Sequence, residues 1–475
     1  MKKTLFLNPP SFEGFDGGAG ARYQAKREVR SFWYPTWLGQ LAAMVPDSKL
    51  VDAPARGQSL DDVIAMVGDY ELVVIYASAA TYRSEVKVAE ALKAANPKLM
   101  IGMVGAHVAT VPEPSLLAST AIDFIARHEF DYTIVEIAEG KPFAEIDGLT
   151  FRGADGTPVH TKDRALIHDM DALPFPAPIY RRDLRIEDYF IGYLKHPYMS
   201  FYTGRGCRSK CSFCLWPQTI GGHVYRARSA ARVIEEVTQA RAMFPEVKEF
   251  FFDDDTFTDD LERVEEVARG IGKLGIPWSC NAKANIPRKT LEVLKANGLR
   301  VLLVGYESGV QEILNNVRKG LRLDIMRKFS QDCHDLGITV HGTFILGLPG
   351  ETKETIKQTL AFAKEVNPHT LQVSMAAPYP GTELFQQAID NGWFKQGKDL
   401  LREDGWQMAA LNYEHLSSEE IFKGVADFYK AFYFRPSKIG EILLEMISDW
   451  DMMKRRLREG VEFFKFLRTR DAEGC

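Results

Sequence analysis

A chain of 475 residues, 45% hydrophobic and 26% charged, is too long for one hydrophobic core and reads as about two to four soluble globular units. Its formal net charge of −5 excludes a global attraction to nucleic acid, so an anionic partner would have to meet a local patch. No window comes near the ~18 uncharged apolar residues of a membrane span, and the apolar stretch 5–7 is too short for a signal peptide, so a cytoplasmic location is expected.

Residues 1–145 alternate β-rich runs with helical patterns, the mark of a parallel sheet covered by helices. Strands are predicted at 4–7, 50–52, 72–77, 99–104 and 122–126, and helices at 35–44, 60–67, 84–95 and 132–139. This is an α/β, Rossmann-like, doubly wound pattern, whose ligand belongs at the carboxyl ends of the strands. Residues 146–195 change to turn-rich text with Asp155-Gly156 and the proline run "LPFPAP", which predicts a stiff hairpin linker.

Over 196–395 the alternation resumes, with strands predicted at 199–203, 249–252, 278–281, 301–305, 340–345 and 371–375 and helices such as 230–243 and 356–365. About six β/α units make a partial (β/α)6 barrel, with its site on the loops that follow the strands. Residues 396–475 read as a helical region. There Met452, Met453, Leu457, Val461, Phe464 and Leu467 recur at helical spacing beside Lys454, Arg455, Arg456, Arg458, Lys465, Arg468 and Arg470. Such a helix either packs on the barrel with a solvated basic face or lies on an anionic membrane surface.

Three of the six cysteines fall within eight residues, in "TGRGCRSKCSFCLWP" directly after a predicted strand. The C-x3-C-x2-C spacing of Cys207, Cys211 and Cys214 can hold three irons of a 4Fe-4S cubane and leave the fourth for an outside ligand. The amino and carboxylate groups of S-adenosylmethionine (SAM) can chelate that iron. Arg205, Arg208 and Lys210 are placed to lower the thiol pKa values and offset the cluster charge. The alternative is zinc, which needs a fourth ligand; the nearest histidine, His223, stands on a different stretch.

The loop, with Phe213 before its last cysteine, resembles the radical SAM signature, and the resemblance places Phe213 near the adenine. Further motifs extend it. "FFFDDDTF" resembles the segment that receives the SAM amino group, at Asp254 or Asp255, and "VGYESG" resembles the one whose glutamate, here Glu307, binds the ribose. Lys283 stands where an arginine is usual and lacks its bidentate fork. "FILGLPGET", with Leu346 and Gly347, and "PYPGT" resemble late-barrel motifs of the cobalamin-type branch.

The first unit resembles that branch's cobalamin-binding domain through "NPP", "VGAH" and "RHEFD". The resemblance implies cobalamin contacts from Pro10, Ser78, Gly105, His107 and Glu129. No Asp-x-His-x-x-Gly run is present, so no histidine is expected on cobalt, and His107 is expected to shape the pocket.

The opening "NPPSFEGFDGGAGARYQAKREVRSFWYPTWL" resembles the hopanoid-biosynthesis radical SAM proteins that form the cyclitol ether of bacteriohopanetetrol. That implies ring contraction of the glucosamine of a lipid glycoside, with a flavodoxin or ferredoxin as electron donor, possible peripheral contact with the membrane and no nucleic-acid partner. Cys280, at the end of a predicted strand, is the candidate hydrogen donor, with burial as a packing residue the alternative. The rival reaction is cobalamin-dependent C-methylation of a lipid or other small molecule. A non-catalytic cobalamin binder with a structural metal is the rival from another class.

Overall fold

The computed structural model describes residues 1–10, 28–394, 400–402, 405–448 and 450–473. Residues 11–27 of the opening segment, and Cys475, lie outside them.

Five nearly all-apolar runs form the parallel part of the first sheet: β1 (Thr4–Asn8), β2 (Ser48–Asp52), β3 (Leu72–Tyr76), β4 (Met100–Val104) and β5 (Phe124–Ala126). They lie in the order β2-β1-β3-β4-β5. This doubly wound arrangement has its switch point between β1 and β3, where ligands bind beyond the carboxyl ends. The two-residue alternation of a strand decides which core each side chain enters. Leu5, Leu7, Val73 and Ile75 pack in one cluster, while Phe6, Val74 and Tyr76 belong to another that continues into the second sheet. The two units therefore share a hydrophobic core.

The segment expected as a stiff hairpin linker adds its hairpin to that first sheet. Its hairpin, β6 (Leu149–Arg152) and β7 (Pro158–His160), pairs antiparallel with β5 and covers what would be an open edge. Next come β8 (Tyr198–Phe201) and a two-stranded ladder, β9 (Gly204–Arg205) with β10 (Arg226–Ala227), which closes the base of the cysteine loop.

The second sheet is completed by β11 (Glu249–Phe252), β12 (Trp278–Ala282), β13 (Leu299–Glu307), β14 (Thr339–Leu346) and β15 (Thr370–Met375). All six strands are parallel in the order β15-β14-β13-β12-β11-β8. The sheet is open between β8 and β15, as in a partial barrel. The helix expected at 356–365 is Lys353–Val366, because Thr352 and Thr355 form a reciprocal cap that starts it three residues earlier.

Beyond the barrel, helix Ser418–Tyr433 covers the edge strand β15. Its Tyr429 and Tyr433 hydroxyls accept from the Val373 and Leu371 N–H groups at 2.8 and 2.9 Å, satisfying edge donors. Helices Pro436–Ser448 and Trp450–Glu473 follow. The apolar set expected to share one face of the last helix is divided: Leu467 is buried, whereas Leu457, Val461 and Phe464 are exposed.

Candidate functional site

The loop from Gly206 to Tyr225 is curled by local chemistry. Gly206 has φ 82°, and a Cβ there would collide with the carbonyl oxygens of Gly221, Gly222 and Val224, so only glycine fits. Its N–H donates to Asp255 Oδ2 at 2.8 Å. A π-helical turn, Pro217–Gly221, follows the last cysteine, and such turns concentrate at functional sites. It aims Gln218 back at the loop, where Nε2 donates to the carbonyls of Cys211, Ser212 and Cys214 at 3.2, 3.2 and 2.7 Å. Gln218 Oε1 accepts from Glu383 N at 2.9 Å, tying the loop to the "PYPGT" segment.

Cys207, Cys211 and Cys214 all line one open cavity at the carboxyl ends of the barrel strands. Among the described residues no three His, Cys, Asp or Glu side chains converge as ligands of a single ion. Thiolates that each take a different iron of a cubane need no such convergence. Burial, rather than the nearby cations, dominates the free thiols and pushes Cys211 and Cys214 up, with Lys319 the chief opposing charge at Cys211. The expected help from Arg205 is spent elsewhere, as described below, and Arg208 faces Asp259 at 3.4 Å.

Across the cavity, Glu307 has φ 63°, a left-handed conformation that costs a non-glycine residue about 1–3 kcal/mol. It falls where the β13–β14 register slips. The slip turns its carboxylate onto Lys319 Nζ at 2.6 Å, and Gly305 must lack a side chain for this pair to lie across it. Lys319 is a site residue that the sequence reading missed; its only signal is "RKG" a short helix after "VGYESG". Lys283 lines the same cavity and pairs with Asp259 at 2.9 Å. Phe213, Asp255, Thr256 and Asn281 also face it. Its outer wall is aromatic: Trp33, with Tyr193 and His341 whose rings lie 4.2 Å apart.

Four expected site residues point elsewhere. Asp254 is fully buried behind the wall, accepting from Thr203 N and Oγ1 and from the Tyr225 hydroxyl at 2.6, 2.9 and 3.0 Å, so Asp255 is the carboxylate that meets the cavity. Cys280 is fully buried in the hydrophobic core, while Asn281 and Ala282 beyond it reach the cavity. The candidate hydrogen donor is thus a packing cysteine. Leu346 is also fully buried, and Gly347 abuts Ile421 of the C-terminal helical region. There the loop is fastened by Glu351, bonded to the Gly347 N–H, and by the Tyr413 hydroxyl, which donates to Gly347 O at 2.8 Å.

The expected cobalamin residues divide too. Glu129 is drawn into a buried ion network, with Arg205 at 2.9 Å and Arg226 at 2.8 Å, and accepts from Ile167 N at 2.7 Å. These partners hold its carboxyl below the usual range despite burial. Its role is therefore to neutralise two arginines that face one another across β9 and β10. The others lie by the carboxyl ends of the first sheet. Pro10 stands two residues beyond Asn8, which donates to Asp52 Oδ1 at 2.7 Å. Ser78 Oγ is 2.7 Å from Thr81 Oγ1. Gly105 lies against the Ala77 carbonyl. His107 is pushed down to about 4 by burial, and its buried Nδ1 has no hydrogen-bond partner among the described residues. An orphaned polar atom beside the switch point fits a polar ligand group there.

Residues 201–363, which hold the three cysteines and most of the parallel partial barrel, match the Radical SAM superfamily. The chain is 29% identical to the uncharacterized methyltransferase PH0819 of Pyrococcus horikoshii, over 94% of this chain and 95% of that protein. It is 26% identical to the cytidylyl-2-hydroxyethylphosphonate methyltransferase of Streptomyces wedmorensis, over 91% and 90% of the two chains. Its fold resembles that of the cobalamin-dependent SAM radical enzyme OxsB, solved with aqua-cobalamin and SAM, at a TM-score of 0.72 and 13% identity. That match covers 98% of this chain and 72% of OxsB.

Proposed function

We propose that this chain is a cobalamin-dependent radical SAM enzyme that transfers a methyl group to carbon on a small-molecule or lipid substrate. The observation that carries the radical SAM part is the convergence of three thiols, Glu307, Lys319 and Asp255 on one cavity. Methyl transfer is supported by two relatives that align over nine-tenths of their length and are methyltransferases by name.

A cubane on three thiolates, with SAM and cobalamin, supplies reductive SAM cleavage to a 5′-deoxyadenosyl radical and a methyl or electron carrier; a flavodoxin or ferredoxin would be the donor. The chain's own residues position and exclude. Cys207, Cys211 and Cys214 would hold the cluster, and Gln218 fixes their loop. Lys319 and Lys283 offer cations to the SAM carboxylate, Asp255 an anion to its amino group, Glu307 an acceptor to its ribose, and Phe213 a face for its adenine. Ser78, Gly105 and His107 would contact cobalamin. Trp33, Tyr193 and His341 form the wall against which substrate would be held in near-attack geometry.

A second reading is favoured by one observation. The segment that resembles the cyclitol-ether-forming proteins delivers Trp33 into the cavity. That supports ring contraction of the glucosamine of a bacteriohopanetetrol glycoside. Anaerobic turnover with reductant, SAM, cobalamin and the glycoside separates the two by mass. Methyl transfer adds a methyl group and yields S-adenosylhomocysteine, and contraction yields 5′-deoxyadenosine without that gain. Absence of both SAM products would overturn the radical SAM assignment itself.

A further inference from the structure

The most unusual surface of the molecule is on its last two helices. Ile439, Leu443, Leu444 and Ile447 of helix Pro436–Ser448 are exposed, Leu444 by 71% and Ile447 by 81%. They recur at i, i+4, i+5 and i+8, one face of a helix. Beside them Leu457, Val461 and Phe464 expose a second stripe on helix Trp450–Glu473, and Phe434 stacks on Phe464 at 6.1 Å. Contiguous apolar surface of this kind marks an interaction site.

The patch is built rather than frayed. Arg456 ties the two helices together, reaching Glu445 at 2.9 Å and Glu459 at 3.0 Å. Lys438 Nζ donates to Pro368 O at 2.9 Å and Arg435 donates to Asn367 Oδ1 at 2.7 Å. Phe466 anchors the last helix inward against Trp406 and Tyr429.

Charge selects the occupant. Among the side chains described between 453 and 468, the exposed ones are Leu457, Val461 and Phe464 with Lys454, Arg458, Lys465 and Arg468. All are apolar or cationic. At about 100° per residue, Lys454, Arg458 and Lys465 lie along one flank of the apolar stripe. The acids of this helix that pair, Glu459 and Glu462, are buried or half-buried against the arginines and the 30–192 region. An apolar face flanked by the cations of the last helix matches an anionic bilayer surface, which takes the apolar residues below its headgroups and the cations at its phosphates. The exposed acid of the preceding helix, Glu441, pairs with Lys438 and lies about 135° around that helix from the centre of its apolar stripe. A second copy of the chain would bring cations against cations.

We infer that this helical pair docks the protein on anionic phospholipid membrane. Gly192 abuts Glu459 on the inward face of the last helix, and neighbouring Tyr193 lines the cavity, so docking would hold the cavity one helix away from the lipid surface whichever transfer occurs there.

The test is co-sedimentation of the full-length, cluster-loaded protein with phosphatidylglycerol–phosphatidylcholine vesicles and with pure phosphatidylcholine vesicles, beside light scattering without lipid. A monomer that partitions at least tenfold more strongly onto the anionic vesicles is expected, with binding weakened by salt. Leu444→Glu/Ile447→Glu and, separately, Lys465→Glu/Arg468→Glu should each reduce partitioning at least tenfold while leaving the iron content unchanged. Equal binding to both vesicle types, binding retained in both variants, or a dimer dissociated by Leu444→Glu/Ile447→Glu would overturn the inference.

Discussion

Arg205, two residues before the first cluster cysteine, meets Asp131 of the first domain through two nitrogens, at 2.7 and 2.9 Å, with its guanidinium 4.4 Å above the Trp37 ring. Both side chains are buried. The pair joins the doubly wound sheet to the root of the cysteine loop, so the orientation of the loop depends on a domain that contributes no cysteine to it. Removing one partner of such a pair leaves an uncompensated buried charge and costs about 3–5 kcal/mol. Asp131→Asn should lower the urea unfolding free energy by about 3 kcal/mol and reduce the iron retained per chain. Arg205→Lys, which keeps the charge but not the fork, should lose less stability than Asp131→Asn; equal losses would remove the charge argument.

Lys319 stands where Glu307, Cys211 and the cavity meet, and burial is outweighed by Glu307, so its ammonium is held above the usual lysine range. Replacing it with methionine keeps the stem and deletes the cation. Lys319→Met should weaken SAM binding at least tenfold, about 1.4 kcal/mol, with iron and sulfide unchanged. Equilibrium dialysis of reconstituted protein measures this, and undiminished affinity would remove Lys319 from the SAM site.

Cys280 and Cys214 separate packing from ligation. Cys280→Ala deletes one sulfur from a tight core and should cost about 1–2 kcal/mol of stability while iron content and SAM cleavage stay within a few-fold of the parent. Cys214→Ala should abolish retention of a four-iron cluster. Loss of substrate turnover in Cys280→Ala with SAM cleavage intact would restore Cys280 as a hydrogen donor.

Glu85 carries a pH dependence. Burial pushes its carboxyl up to about 8, with Thr81 and the Ser78 N–H opposing that shift. The folded protein therefore holds this proton between the ordinary carboxylate value and about pH 8, whereas the unfolded chain releases it. Stability must fall as pH rises through that window. Glu85→Gln should be more stable than the parent at pH 8, by on the order of a few kcal/mol, and close to it at pH 5. Urea midpoints at the two pH values check both the sign and the window.

Both sheets and the cavity's cysteines were legible because they are written locally. Central parallel strands are apolar on both faces, as in "LFL" and "LVVIY", and the cysteine spacing is a short-range motif. Carboxylates were harder to assign. Asp254 and Asp255 are adjacent, yet one faces Thr203 and Tyr225 behind the wall and the other faces the loop; strand alternation separates them only once the ends of β11 are known. Glu129 carries a motif position, but Arg205 and Arg226, 76 and 97 residues away, claim it. The hairpin at 149–160 gave its turn in the sequence, while its docking on β5 depended on an edge created elsewhere.

By itself the sequence determined the alternating strands and helices, the three thiols and their order, and the apolar and basic text of the final helix, since each is fixed by neighbours within a few residues. The tertiary structure alone decided that Lys319 joins Glu307, that Cys280 and Asp254 are packed away, that Trp33 enters the barrel cavity, and that Leu457, Val461 and Phe464 face outward. Those outcomes depend on which distant charge or surface arrives opposite each side chain, and burial and pairing are properties of that encounter, not of the local chain.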